Sequence, residues 1–145
     1  MKTKNSLIVT AIFSLLFGVC NAQWVRVQGN IPFNVTVRCF ASSPNGEGGT
    51  NLFAGTEGAG VFLSTNDGLS WIEVNAGLTD YRVFSLAVFG SNLYAGTYGA
   101  GIFRSTNNGI SWSAVNSGFT GSEVYSLAVS GSNLFAGAFF GGVYR

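Results

Sequence analysis

The sequence has no histidine, only two cysteines and two prolines, and few charges, which make up 9% of its 145 residues. Without histidine, His-based catalytic triads and His-ligated metal sites are excluded. Lysine occurs only at Lys2 and Lys4, and the five arginines form no cluster. The chain therefore lacks the basic surface that nucleic-acid binding requires, and we predict neither a nucleic-acid partner nor a metal or cofactor.

The amino-terminal residues 1–22 have the pattern of a signal peptide. Lys2 and Lys4 give a positive start, and the apolar run 7–19 that follows is too short to span a membrane. Ala22 provides the small residue expected before a cleavage site. We predict export, with a mature chain of residues 23–145 that does not insert into the membrane and is periplasmic, extracellular or attached to the cell surface.

Neither cysteine indicates a lipid anchor or a disulfide. Val19 stands directly before Cys20, where a lipoprotein signal needs a small residue. Removal of the signal peptide leaves Cys39 as the remaining cysteine, so no intramolecular disulfide can form. We predict that Cys39 is a small buried thiol, with a reactive thiol as the less favoured alternative.

Glycine and aromatic residues are abundant in the rest of the chain and recur at a fixed interval. Trp71 and Trp112 are 41 residues apart, and the same offset relates Val83 to Val124. Sequence periods of about 20 to 50 residues are typical of solenoids and propellers. We divide the mature chain into three copies, residues 24–70, 71–111 and 112–145, of which the first is lengthened by a Gly-rich insertion.

Each copy contains short β-type runs separated by turn residues. Around the second copy these runs are 83–88, 92–97, 101–105 and 112–115. Four antiparallel strands in each repeat match a propeller blade, whose sheet is packed between its neighbours. We predict an all-β fold of about three four-stranded antiparallel β-propeller blades that form an incomplete ring.

Two eight-residue motifs, Ser64–Trp71 and Ser105–Trp112, resemble the Asp-box, or BNR repeat. That motif occurs in sialidases, sortilin-type receptors, propellers like the photosystem assembly factor, and secreted bacterial repeat proteins. The resemblance covers essentially the whole mature chain. It departs from the family pattern at the third position, where Asn66 and Asn107 replace aspartate.

The resemblance implies a structural hairpin between the third and fourth strands of a blade, remote from any catalytic centre. Asparagine can hold its own turn, glycine supplies the left-handed backbone, and tryptophan anchors the outer strand. A calcium site at Asn66, Asp67 and Asn107 is the alternative, but these groups offer few charged oxygens. The residues assigned this structural role are Ser64, Asn66, Gly68, Trp71, Ser105, Asn107, Gly109 and Trp112.

The resemblance to sialidases would imply an arginine triad, a tyrosine nucleophile assisted by glutamate, and an acidic proton donor. Arg104 and Arg145 occupy equivalent positions beside the hairpins, away from the usual ligand face, and we expect them not to converge. The six acids form no recognisable pair of the kind that glycosidases use. We therefore predict no catalytic residue; the alternatives are a divergent sialidase-like glycoside hydrolase fragment and a purely structural cell-surface or adhesion repeat.

In a propeller, the turns after the second and fourth strands of each blade share the surface at the mouth of the central channel. Aromatic and charged residues vary there on an otherwise repeated scaffold, as in recognition loops. We predict a binding module for an extracellular protein or glycan. Its candidate residues are Glu57, Tyr98 and Phe139 at equivalent positions, with Asp80, Tyr81, Arg82 and Glu123 in the neighbouring connections.

Three blades are fewer than the four to eight that usually close a propeller. One explanation, which we favour, is that the chain is a fragment of a longer repeat protein. The other is a homodimer that completes a six-bladed ring, in which each chain lends the strand beginning at Trp24 to the last blade of its partner.

Overall fold

The computed structural model describes residues 30–145, and this part of the chain contains eleven strands and no helix. The strands form three antiparallel sheets in which consecutive strands pair. Blade 1 contains β1 (Thr36–Pro44), β2 (Thr50–Glu57), β3 (Val61–Ser64) and β4 (Ile72–Glu73). Blade 2 contains β5 (Val83–Phe89), β6 (Asn92–Thr97), β7 (Ile102–Ser105) and β8 (Ser113–Ala114), and blade 3 contains β9 (Val124–Ser130), β10 (Asn133–Ala138) and β11 (Gly142–Tyr144).

The prediction of an all-β fold made of antiparallel propeller blades is confirmed. The four runs expected around the second copy correspond to β5–β8, with ends that differ by at most one residue. The predicted signal peptide, 1–22, and the strand expected at Trp24 lie outside the described residues. Between residues 30 and 145 no helix is long and apolar enough to cross a lipid bilayer.

The blades stack face to face, since β5 of blade 2 contacts both β1 and β9. Phe103 on β7 packs in the buried cluster between blades 1 and 2, while its neighbour Ile102 packs in the cluster between blades 2 and 3. Among residues 30–145, no further blade packs on the outer face of blade 1 or of blade 3. Val143, one repeat after Ile102, is therefore 76% exposed, whereas Ile102 is 8% exposed.

The hairpins between β3 and β4 and between β7 and β8 are held by their own polar side chains. In the first, Ser64 Oγ accepts a hydrogen bond from Gly68 N at 2.9 Å and donates one to Asn66 Oδ1 at 3.0 Å. Asn66 Oδ1 also accepts from Ser70 N at 2.9 Å, and Asn66 Nδ2 donates to Ser70 Oγ at 2.8 Å. The Asn66 amide thus makes the hydrogen bonds of the turn without a carboxylate. The second hairpin repeats these bonds one copy later.

The two hairpin tryptophans occupy equivalent positions in the sequence but donate to different partners. Trp71 Nε1 donates to Gly68 O of its own hairpin at 3.0 Å. Trp112 Nε1 donates at 2.7 Å to Val74 O of the preceding blade, and its backbone N–H donates to Ala76 O at 2.8 Å. Trp112 therefore joins blade 2 to blade 1, whereas Trp71 is buried in a small cluster on the outer side of blade 1.

Cys39 lies half-buried on β1, and its Sγ is 3.9 Å from Val83 O of the next blade. Burial raises the pKa of its thiol to about 11, although a backbone hydrogen bond from Gly55 opposes the shift. Because the thiolate is the reactive form of cysteine, this environment favours the unreactive thiol over the reactive one.

Cys39 is accordingly expected to resist alkylation. At pH 8 iodoacetamide should modify native residues 23–145 about 100-fold more slowly than the same chain unfolded in urea, because the native state holds so little thiolate at that pH. Mass spectrometry of timed samples would measure both rates. Similar rates in the two states would show that Cys39 is a reactive thiol.

Candidate ligand-binding face

The turns predicted to share the mouth surface are joined by backbone hydrogen bonds. Gly58 N, in the turn after β2, donates to Tyr81 O in the connection between blades 1 and 2 at 3.0 Å. Tyr98 N donates to Arg82 O in the same way, and Phe139 N donates to Glu123 O, each at 3.0 Å. These turns therefore lie together at one end of the sheets, opposite the end that carries the hairpins after β3 and β7.

A β-bulge near the start of each inner strand supplies one side chain to this end. Arg38 on β1, Phe84 on β5 and Tyr125 on β9 have no partner in the register of the second strand, while their neighbours on both sides are paired. An extra unpaired residue bends the strand and re-aims its side chain. The three bulged residues are equivalent in the repeat, so each blade presents one of them.

Each bulged residue lies beside the residue that ends the second strand or begins the following turn of its own blade. Arg38 is paired with Glu57 through its Nε at 2.9 Å and also through its Nη2. The ring centroids of Phe84 and Tyr98 are 5.4 Å apart, and those of Tyr125 and Phe139 are 5.9 Å apart. Blade 1 thus presents an ion pair where blades 2 and 3 present aromatic pairs.

The aromatic pairs of blades 2 and 3 merge into one surface, which we name the aromatic row. The rings of Phe84 and Tyr125 are 5.4 Å apart across the two blades, and those of Tyr98 and Tyr125 are 6.4 Å apart. The row ends at Phe139 and Phe140, whose centroids are 4.1 Å apart. Tyr125, Phe139 and Phe140 are exposed, so the row presents aromatic surface to solvent.

Two arginines lie against this row. Arg38 Cζ is 5.3 Å from the centroid of Phe84, and Arg82 Cζ is 4.5 Å from that of Tyr98, both within cation–π range. Arg82 also donates to the two carboxylate oxygens of Asp80 at 2.9 and 3.0 Å. Desolvation would raise the pKa of Asp80, but hydrogen bonds from Arg82 and its positive charge outweigh that effect and lower the pKa.

The structure brings six of the seven predicted binding residues to this face by their side chains. Glu57, Tyr98 and Phe139 lie in or beside the aromatic row, and Asp80 and Arg82 form the ion pair against Tyr98. The carboxylate of Glu123 accepts from the Tyr125 hydroxyl at 3.4 Å. Tyr81 differs, because among residues 30–145 its exposed ring stacks on no other ring, and it contributes its backbone carbonyl.

Sequence reasoning missed Arg38, Phe84, Tyr125 and Phe140. The first three were hidden by the bulge, since simple alternation along the strand does not indicate where an unpaired side chain points. A signal was available, because all three follow a valine and precede a cysteine or serine at the same place in the repeat. Partial desolvation, together with the charge of Glu123, raises the pKa of Tyr125.

Arg104 and Arg145, which we expected not to converge, both line one groove of about 540 Å³ between blades 2 and 3. Neither belongs to the aromatic row. Within the described residues no three His, Cys, Asp or Glu side chains gather where a metal ion could be held.

No protein-family model and no curated protein sequence matches this chain. Among solved structures, the crystal structure of an ancestral GH74 enzyme is similar, with 27% sequence identity and a TM-score of 0.55. The similarity covers 70% of this chain and 13% of that chain. The chain therefore spans only a small part of the length of that chain, and the likeness supports the assignment of its sheets as blades.

Proposed function

We propose that this chain is a secreted, non-catalytic propeller module that binds a glycan on the aromatic row. The observation that supports the proposal is the continuous surface of Phe84, Tyr98, Tyr125, Phe139 and Phe140. A sugar ring has an apolar C–H face that stacks on aromatic rings, and hydroxyl groups at its edge that need hydrogen-bond partners. Tyrosine hydroxyls lie within the row and charged groups lie beside it, so both requirements are met.

The similarity to a GH74 enzyme favours a glycan over a protein as the ligand, since GH denotes glycoside hydrolase. The matched part is only 13% of the GH74 chain. The similarity therefore supports glycans as the class of ligand, and it does not support a reaction for this chain.

The ion pairs support binding over catalysis. Glycoside hydrolysis needs two carboxyl groups, one of which is kept protonated by a raised pKa. Asp80 has a lowered pKa and is held by Arg82, which is the wrong direction for a proton donor. Glu57 likewise forms an ion pair with Arg38. These carboxylates instead orient the two arginines that lie against the row.

Removal of the row's side chains should abolish binding while the fold is retained. We expect Tyr98→Ser, Tyr125→Ser and Phe139→Ser together to weaken the affinity for a glycan identified on an array by about 100-fold, because aromatic anchors dominate such contacts. Isothermal titration calorimetry would measure the affinity, and circular dichroism would verify the sheets.

The matched control is Leu69→Ser with Ile110→Ser. These residues are 70% and 65% exposed on the hairpins at the opposite end of the blades. Their replacement removes exposed apolar surface without touching the row, so binding should be unchanged. An equal loss of affinity in the triple variant and in the control variant, or undiminished binding by the triple variant, would reject the aromatic row as the ligand site. Release of reducing sugar that Glu57→Gln or Glu123→Gln abolishes would favour the glycoside hydrolase alternative.

A further inference from the structure

A groove lies between blades 2 and 3, at the place where side chains of the main core lie between blades 1 and 2. It has a volume of about 540 Å³, and its apolar lining comes from both blades. At the equivalent place between blades 1 and 2, Trp112 and its neighbours form the main hydrophobic core. The apolar lining includes Ile102, Val115, Phe119, Leu134 and Tyr144.

The 41-residue repeat relates the two interfaces residue by residue. The buried residues one copy earlier are Val61, Val74, Leu78, Leu93 and Phe103, all of which belong to the core cluster. One further member of that cluster, Trp112, has no counterpart in the groove. The groove therefore has the same kind of lining as the site that holds Trp112.

The polar groups that receive Trp112 also have counterparts. Trp112 Nε1 donates to Val74 O, and its backbone N–H donates to Ala76 O. One repeat later these positions are Val115 and Ser117, and both line the groove. A tryptophan in the groove would find the same carbonyl positions for its indole N–H and its backbone N–H.

We propose that this groove binds the segment Trp24–Val27 of a second copy of the chain. Trp24-Val25-Arg26-Val27 shares the pattern Trp-x-x-Val with Trp71–Val74 and Trp112–Val115, the segments that contain the fourth strands. It also supplies the third tryptophan of the sequence. The segment would pair with the edge strand β11 as β8 pairs with β7, and main-chain bonds plus one buried side chain are the usual means of strand addition.

If the segment Trp24–Val27 fills this groove, it belongs to a second copy, because the chain's own segment is too short to reach. Ile31 packs on the outer face of blade 1, against Phe62 and Trp71. Blades 1 and 2 lie between that face and the groove, a distance of about 20 Å for two stacked sheets. The four residues from Val27 to Ile31 span at most about 14 Å.

A reciprocal exchange would also cover the two open faces. Phe40 is 64% exposed on blade 1, and Val143 is 76% exposed on blade 3. In a dimer with two-fold symmetry, blade 3 of each copy would pack on blade 1 of the other, which gives a closed ring of six blades. This inference concerns a different surface from the aromatic row and does not depend on the proposed function.

The first test is the mass of the exported form that begins at Gln23, measured by sedimentation equilibrium over a range of concentrations. We expect a dimer, and we expect Trp24→Ala to raise its dissociation constant by about 100-fold or more. Gly118→Ala should do the same. A Cβ at Gly118 meets nothing within 4 Å, but at the equivalent Gly77 it would collide with the backbone of Trp112.

Gly90→Ala is the matched control, since Gly90 also has a positive φ and open space around it but lies away from the groove. Its dimer should match that of the unaltered chain. A monomer at every concentration, or a dimer that neither Trp24→Ala nor Gly118→Ala weakens, would overturn the proposal.

A cross-link identifies the donor directly. The register of β7 and β8 places Arg104 opposite Ser113, so the proposed counterpart pair is Arg145 and Val25. Chains carrying Val25→Cys and chains carrying Arg145→Cys, both with Cys39→Ser, would be mixed and oxidised. A covalent dimer on a non-reducing gel supports exchange between copies. No cross-link in the mixture, or a link formed only within one doubly substituted chain, would overturn it.

Discussion

Substitution of Trp112 with alanine is expected to lower the free energy of unfolding by about 4 to 5 kcal/mol, near the upper end for loss of a buried aromatic side chain. Trp112 is 5% exposed in the main core, and its indole and backbone N–H groups both donate across the interface between blades 1 and 2. The alanine variant keeps the backbone bond but loses the indole bond and leaves a cavity. Val74 O then remains buried without its donor, which adds to the cost.

Trp71→Ala is the matched comparison, because the same residue occupies the same motif one copy earlier. Its cluster of buried residues is small, and its indole donates within its own hairpin. We expect a loss of about 3 kcal/mol or less. Urea unfolding followed by circular dichroism, at one protein concentration, would measure both variants. A larger loss for Trp71→Ala than for Trp112→Ala would show that the contact between blades is not what makes Trp112 important.

The strands could be predicted from the sequence because their signals are local. Asn107, Asn108 and Gly109 fix one hairpin, and the 41-residue repeat then transfers the assignments to the other copies, apart from the first strand before the Gly-rich insertion. Apolar runs bounded by such turns leave little choice of secondary structure. The same reasoning placed the turns after the second and fourth strands at one end of the blades.

The composition of the candidate site could not be predicted in the same way. Whether Phe84 or Ser85 joins the aromatic row depends on one unpaired residue, and a shift of one residue reverses the faces of a strand. The partner of a side chain also depends on what lies beyond its own repeat. Trp71 and Trp112 share a motif, yet only Trp112 has a described blade in front of it to receive its indole.

Gly77→Ala is expected to destabilise the chain by about 4 kcal/mol, the range of severe single substitutions. Gly77 has a φ of +90°, which a residue with a Cβ adopts at a cost of about 1 to 2 kcal/mol. The larger part comes from contact. A Cβ there would overlap Trp112 O and lie within 3.2 Å of its carbonyl carbon, and these are backbone atoms that cannot rotate away. Relief requires the two blades to separate, which stretches the bond from Trp112 N to Ala76 O.

Gly118→Ala separates the two contributions, because Gly118 is the same residue one repeat later. Its φ is +78°, but a Cβ there has nothing within 4 Å. The backbone cost of about 1 to 2 kcal/mol therefore remains while the collision is absent. Both variants would be made in chains carrying Trp24→Ala, so that the proposed exchange of strands does not enter, and unfolded in urea. A difference of about 2 kcal/mol or more between them would measure how closely Trp112 joins the blades, since the backbone strain is common to both. Equal losses would mean that the interface yields at Gly77 and that Trp112 does not hold the two blades in a fixed position.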